Sequence, residues 1–502
     1  MQFSNMTRNS PELSARAREI ALELTSWPSV TGTLGEAAFA QRLQEYLRLK
    51  WFDENIRFSV DAGSNLRGNL AVLKRGRSAQ TIVLTGHFDT VPYDDYGTLA
   101  DFALDPETLT KSIINRLQQS GESNHALRDF ESGDFLAGRG LLDMKAGLAA
   151  GLAAMEAYSG DASILFFAVC DEEETSAGAR AAALMLKNME KQFDLEIKLI
   201  INLDAISDQG DGSHGRVVTY GSIGKLLLTA FVHGKQTHAG YPQDGVNAAY
   251  VAAELLIEFE LSPLLSERTE EELAAPPTAL HSKDSKTGYN VTTPQQAWIY
   301  WNTMQHKRTA SEVFEIAMDH ARRAVNRAKV RTNQDIDLIS FAELRGKHAY
   351  SLQKQDTSLN LPEQSRLATL AIIESLGITK PTVVMGFGSI PYSAVSLRDE
   401  SLRATISKAV QPFGLGSVNY FAGISDMSFF GEASSDLSEV ASNTPIWGTS
   451  FTLAEPAGCP CINIGPWGRD YHHWLERLHA PYAFETLPRV LLAVIDAVFE
   501  RG

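Results

Sequence analysis

The chain has 502 residues, 44% of them hydrophobic and 21% charged, with a formal net charge of −16. Its length predicts several structural units, and its composition is that of a folded globular protein without repeats or low-complexity tracts. The acidic balance excludes a nucleic-acid binder, which needs a basic face, and equally excludes docking on anionic lipid.

The N-terminal MQFSNMTRNSPELSARAREIA carries no apolar leader. No stretch reaches the ~18 consecutive apolar residues of a membrane span. Ser10-Pro11 opens a helix to about residue 25, with Leu13, Ala17, Ile20 and Leu24 on one face. SVTGTLGE then turns the chain into a second helix ending near Leu49. NLAVLK, TIVLTG, SILFFAV and KLIINL are short, continuous apolar runs, the pattern of strands covered on both faces by helices. Between them lie helices, among them MKAGLAAGLAAMEAY, whose Ala and Gly content predicts close packing on the sheet. This alternation is that of an α/β fold, in which function collects at the carboxyl ends of the strands.

From about residue 214 the pattern changes to strand VVTYGSIGKLLLTAFVHG, helix NAAYVAAELLIEFEL, strand QAWIYWNTM, a helix over 311–329 and strand DIDLISFAEL. That order predicts a self-contained two-layer unit. After about residue 350 come strand TVVMGF, a helix over 402–410, strand CINIG and a final amphipathic helix over 484–499. The simplest reading is a catalytic domain of residues 1–213 and 350–502, with 214–349 inserted into it.

Polar clusters follow the buried strands. TIVLTGHFDT puts His87 and Asp89 on one side of a strand end, where an imidazole can bind metal and a carboxylate can fix its tautomer. GRGLLDMKAG puts Asp143 at a helix start, where it could bridge two metals or simply cap the helix. CDEEETSAG offers adjacent carboxylates, one for metal and its neighbour for a bound water, or else a solvated acidic loop. INLDAISD ends a strand with Asp204, with Asp208 four residues on. GPWGRDYHHWLE follows CINIG with His472 and His473 adjacent. Each cluster alone has an ordinary structural reading; five together, rich in His, Asp and Glu, point to zinc. Cys170, Cys459 and Cys461 are too few for a disulfide framework and fit a reducing cytoplasm. Cys170 lacks a basic partner in sequence and reads as core rather than as a nucleophile.

HFDT, GRGLLDMKAG, DEEETSAG, GKQTHAGYPQDGVNAA and the late DYH-xxx-E, in that order, resemble the aminoacylase/carboxypeptidase family of dinuclear zinc peptidases and amidohydrolases. Acetylornithine deacetylase and succinyl-diaminopimelate desuccinylase are members of that family. INLDAISD, YGSIGKLL and GRDYHHWLERLHAPYAFETLP look most like its RocB-like, arginine-utilisation branch. The resemblance implies an α/β zinc-exopeptidase-type catalytic domain with a central, mostly parallel sheet flanked by helices. It adds an inserted α+β lid, which in many relatives is also the dimerising element. It implies two Zn2+, with Co2+ or Mn2+ as substitutes. His87 and Asp204 would hold one metal, Glu173 and His472 the other, with Asp143 bridging. Glu172 would be the general base, Asp89 would orient His87, and His238 would hold the oxyanion. Asn247, Asn302 and Asp426 would meet substrate, Asn302 standing where many relatives carry a carboxylate-binding Arg.

The activity implied is hydrolysis of a small amide, N-acyl amino acid or short peptide by water activated at the metals. A small-peptide exopeptidase is the near alternative; a non-catalytic binding protein on the same fold is the distant one, and it predicts a lost ligand or base. The 55 residues between His87 and Asp143 exceed the family interval, so residues 93–134 are an insertion expected near the site mouth, narrowing access.

Overall fold

The computed structural model describes residues 11–51, 56–61, 67–268, 273–346, 356, 358–421, 423–433 and 437–501. The leader-free reading of residues 1–10 and the expected boundary at 349/350 lie outside them. The chain divides into two compact units: Met1–Ser222 with Val395–Glu432 and Pro456–Gly502, and Ile223–Ala394 with Ala433–Glu455. Among the described residues, no helix is long and apolar enough to cross a membrane.

The first unit is built on an eight-stranded sheet. Its centre, Ser163–Val169, Gln80–His87, Glu196–Asn202 and Cys461–Asn463, is parallel, and Asn69–Lys74 and Ile56–Asp61 extend it antiparallel. Every residue of SILFFAV is buried, as its unbroken apolar run requires when helices cover both faces. The helix Ala146–Ala157 packs against Pro11–Thr25 and Leu487–Arg501. Its small residues let it lie on the strands: a Cβ on Gly151 would stand 2.7 Å from a Leu203 methyl, and one on Gly147 would stand 2.1 Å from the Leu203 carbonyl oxygen. A separate four-stranded sheet joins Phe135–Ala137, Arg477–His479, Trp467–Arg469 and Ile206–Ser207.

The second unit has five strands in the order Thr278–Asp284, Gln296–Gln305, Gly224–His233, Thr382–Phe387, Asp337–Ser340. Helices Ala248–Phe259 and Ala310–Thr332 bury one face around Trp301 and Ile299. The expected two layers gain a third: Phe341, Leu344, Ile372 and Ile373 cover Phe231, Trp298 and Val384 on the other face.

Two boundaries differ from the expected 214–349. TVVMGF, placed in the second catalytic segment, pairs instead with Gly224–His233 and Asp337–Ser340. VVTYGSIGKLLLTAFVHG is three strands, not one, and Val217–Thr219 stays in the first unit beside Gly416–Val418. The interruptions fall at Tyr220 and Ile223, on either side of Gly221–Ser222, which pairs so closely with Val395–Ser396 that a Cβ on Gly221 would stand 2.3 Å from the Val395 carbonyl oxygen.

Candidate metal centre

Parallel register assembles the site. His87 pairs with Val169, Thr85 with Asn202, and Asn202 with Asn463, so the central strands end level. The chain leaving each one delivers His87, Asp171 to Glu173, and Asp204 to the same edge. Asp143 arrives from a turn, Leu141–Lys145, in which it and Met144 leave helical geometry; the peptide bond between them is cis. The capping alternative is not realised, because the following helix has Lys145 at its N-cap.

Asp143 is the node. Its Oδ1 lies 3.1 Å from His87 Nε2 and its Oδ2 lies 3.1 Å from His472 Nε2. Asp204 Oδ1 is 3.8 Å from His87 Nε2, and Glu173 Oε1 is 3.2 Å from His472 Nε2. Two donor groups result, His87–Asp143–Asp204 and Asp143–Glu173–His472, each with its ligand atoms within 4.8 Å of one another. Glu172 Oε2 stands 4.0 Å from His87 Nε2 and belongs to neither group, while Glu174 is exposed.

The neighbours of two ligands are committed elsewhere. Asp208 accepts from Gly210 N and His214 N, closing a turn. His473 Nδ1 accepts from Leu475 N.

Asp89 acts differently from expectation. His87 Nδ1 is 3.0 Å from the Asp89 backbone carbonyl and 3.6 Å from its carboxylate, so the carbonyl fixes the ring. The Asp89 carboxylate accepts instead from Glu172 N at 3.0 Å, Glu173 N at 3.2 Å and the Thr31 hydroxyl at 2.9 Å. It anchors the loop that presents both glutamates. Glu36 supports the same loop by accepting from Asp171 N at 2.9 Å, and Arg67 ion-pairs with both Glu36 and Asp171. Thr31 and Glu36 lie in SVTGTLGE, whose turn character was legible but whose service to the site was not.

The electrostatics ask for cations. Burial, with Asp426, Asp204 and Glu173 as neighbours, raises Glu172 well above the carboxylate range, against the pull of His87. Burial also raises Glu173 and Asp204, and pushes Asp426 up to about 7. Asp143 is lowered because His472 and His87 outweigh its burial. Burial opposes protonation of both histidines, yet the carboxylates raise His87 and lift His472 to about 10. Two imidazoles and this many inward carboxylates fit a pair of divalent metals of borderline character.

Asp426, almost fully buried in the first unit, is close enough for its charge to act on Glu172. His238, Asn247 and Asn302 all belong to the second unit. His238 is exposed, and its Nδ1 accepts from Gly240 N at 3.0 Å. Asn247 caps the helix Ala248–Phe259 through its side-chain oxygen. Asn302 Oδ1 is buried without a hydrogen-bond partner among the described residues. Cys170 is buried beneath the site and its thiol is pushed up by burial, as a core residue rather than a nucleophile.

The geometry has counterparts in known proteins. Protein YqjN of Bacillus subtilis (strain 168) is 31% identical, with 95% of each chain covered. Protein RocB of the same organism is 27% identical over 98% of this chain and 96% of its own. The crystal structure of aminopeptidase PepT from Bacillus cereus ATCC 10987 shares the fold, with a TM-score of 0.56 and 15% identity over 97% of this chain and 99% of that one. The model of Peptidase family M20/M25/M40 matches residues 83–443, and the chain belongs to that family, as a metal-dependent hydrolase of C–N bonds.

Proposed function

We propose that the chain is a dinuclear zinc amidohydrolase cleaving the amide bond of a small amino-acid-derived substrate, of N-acyl amino acid deacylase type. The carrying observation is that the two oxygens of Asp143 face two imidazoles, His87 and His472, at 3.1 Å each. His87, Asp143 and Asp204 would hold one Zn2+, and Asp143, Glu173 and His472 the other. The metals, when bound, supply a water whose pKa falls to ~7 and a Lewis acid for the substrate carbonyl.

Glu172 takes the water's proton and returns it to the leaving amine; its position outside both ligand groups leaves its carboxylate free for this. Asp89 keeps Glu172 and Glu173 in place through their backbone N–H groups. The family resemblance gives His238, in the second unit, the role of oxyanion donor. The Gly240 N–H on its Nδ1 puts the ring proton on Nε2, the tautomer that donation needs. The resemblance of INLDAISD, YGSIGKLL and GRDYHHWLERLHAPYAFETLP to the RocB-like, arginine-utilisation branch supports a substrate from arginine utilisation.

The test is metal analysis of the purified chain together with turnover of N-acyl amino acids and dipeptides by wild type and Glu172→Ala. Two equivalents of zinc in both proteins, with turnover at least ~100-fold lower in the variant, is the expected result. Preference for dipeptides would favour an exopeptidase. Metal-free protein, or equal turnover in the variant, would sink the proposal.

A further inference from the structure

Residues 94–131, the long interval between His87 and Asp143, fold as a 3-10 stretch Asp94–Phe102 and helices Pro106–Ser120 and Asn124–Glu131. The first helix has clear local signals: Asp105 caps it, Pro106 opens it and Gly121 ends it in the left-handed region. Thr110 Oγ1 then accepts from Ala137 N at 2.9 Å, joining the helix to the small sheet.

That sheet carries His472. The strands Trp467–Arg469 and Arg477–His479 form a hairpin in which Arg469 and Arg477 face each other at the base of the loop 470–476. The loop contains two non-glycine residues in the left-handed region, Asp470 at φ 54° and His472 at φ 64°. Such backbone persists only where its surroundings over-determine it.

Asp470 accepts from Arg477 and Gln209, and Arg469 donates to the Asp208 and Gly210 carbonyls; the insertion adds to these surroundings at three points. Asp129 Oδ2 accepts from Arg477 Nε at 2.7 Å and from Arg469 Nη1, standing between two buried guanidinium groups that would otherwise repel. The Arg116 guanidinium lies 4.1 Å from the centre of the Trp474 ring. Asp95 holds the buried Arg139 at 2.8 Å; Arg139 faces Glu476 at 3.7 Å, and Glu476 Oε2 accepts from the His472 backbone N–H at 3.3 Å.

We propose that the insertion is a splint for the histidine of the second metal, with Asp129 as its chief positioning residue. This rests on the dinuclear reading above. The His87–Asp143–Asp204 group shares only Asp143 with the second group, and its other two members, His87 and Asp204, are set by the main sheet. The splint therefore acts chiefly on the metal of the His472 group.

The experiment is a calorimetric titration of chelator-stripped full-length protein with Zn2+, for wild type, Asp129→Ala, Asp129→Asn and Arg116→Ala, with His472→Ala to identify the second site. In Asp129→Ala the affinity of the His472 site should fall roughly 10–100-fold with the other site unchanged, the range for groups that orient ligands. Asp129→Asn should fall between that variant and wild type. Arg116→Ala should lose about 2–5-fold at the same site. Equal affinities in variants and wild type, or an equal fall at both sites, overturns the splint. If Asp129→Ala fails to fold, unchanged second-site affinity in Asp129→Asn and Arg116→Ala overturns it as well. Fewer than two equivalents in wild type removes the dinuclear reading, and this inference with it.

Discussion

Replacing Asp89 separates two roles that a carboxylate beside a metal-binding histidine can play. Its side chain is fully buried and accepts from two backbone N–H groups and one hydroxyl. Removing an ionised acceptor from a buried donor costs about 1–3 kcal/mol for each donor left bare. Asp89→Ala bares Glu172 N and Glu173 N, while the Thr31 hydroxyl can turn to its second acceptor, the Thr90 carbonyl, at 3.2 Å. The expected loss is therefore about 2–6 kcal/mol, taken up by global destabilisation, by relaxation of the glutamate loop, or by both. Asp89→Asn keeps one acceptor oxygen and should lose about half as much. The His87 ring is held by the backbone carbonyl of residue 89, which both variants retain. The kcat/KM should therefore fall by 10-fold or more while Zn2+ affinity at the His87 group changes less than about 3-fold. Denaturant melts of the chelated protein, zinc titration and turnover read the three quantities. A fall in zinc affinity as large as the fall in kcat/KM would refute the argument, because the carboxylate would then be orienting the imidazole.

Three further outcomes are expected. Asp129 is lowered because Arg469 and Arg477 outweigh its burial, so its stabilisation is present above the ordinary Asp value of ~3.9 and is lost as pH falls through its lower folded value. The destabilisation by Asp129→Ala should thus be constant from about pH 5 to 8 and shrink below about pH 4; a gap that widens on acidification would refute the sign. Gly147→Ala would gain about 1 kcal/mol of helix propensity, but its Cβ meets the Leu203 carbonyl at 2.1 Å, so a net loss of about 1–2 kcal/mol in denaturant melts is expected. A stabilised variant would show that the helix can move off the sheet freely. Burial pushes Cys459 up to about 11 and raises Cys170 and Cys461 too, so native protein at pH 8 should react with a thiol reagent only over hours, against seconds when unfolded.

The central strands and the residues that follow them were readable because burial on both faces demands unbroken apolar runs, and parallel register then brings the strand ends together. What the sequence hides is pairing between distant polar groups. Asp89 serves backbone N–H groups 83 and 84 positions away, a partnership without periodicity. Asp129 meets Arg477 at a separation of 348, and neither residue lies in an apolar pattern that would flag it. TVVMGF pairs in the second unit rather than in the catalytic sheet, a difference its sequence does not reveal because a fully buried strand reads the same in any sheet that helices cover on both faces. The helix Phe341–Gly346 is a different case, since its signal was present. In SFAE, Ser340 accepts from Glu343 N and Glu343 accepts from Ser340 N, a reciprocal cap that should have ended the strand at residue 340.

Asp143 joins parts of the first unit whose rigidity has different origins. His87 and Asp204 sit at the ends of adjacent parallel strands, and their separation is set by strand spacing and register, which a substitution in a loop hardly touches. His472 rides on a hairpin of three-residue strands, with pairing too short to fix a loop that includes left-handed residues. One carboxylate can bridge two imidazoles only while both hold still. The sheet guarantees the first, so sequence outside the sheet must provide for the second, and the long interval before Asp143 contains Asp129, the carboxylate that reaches the hairpin at both Arg469 and Arg477.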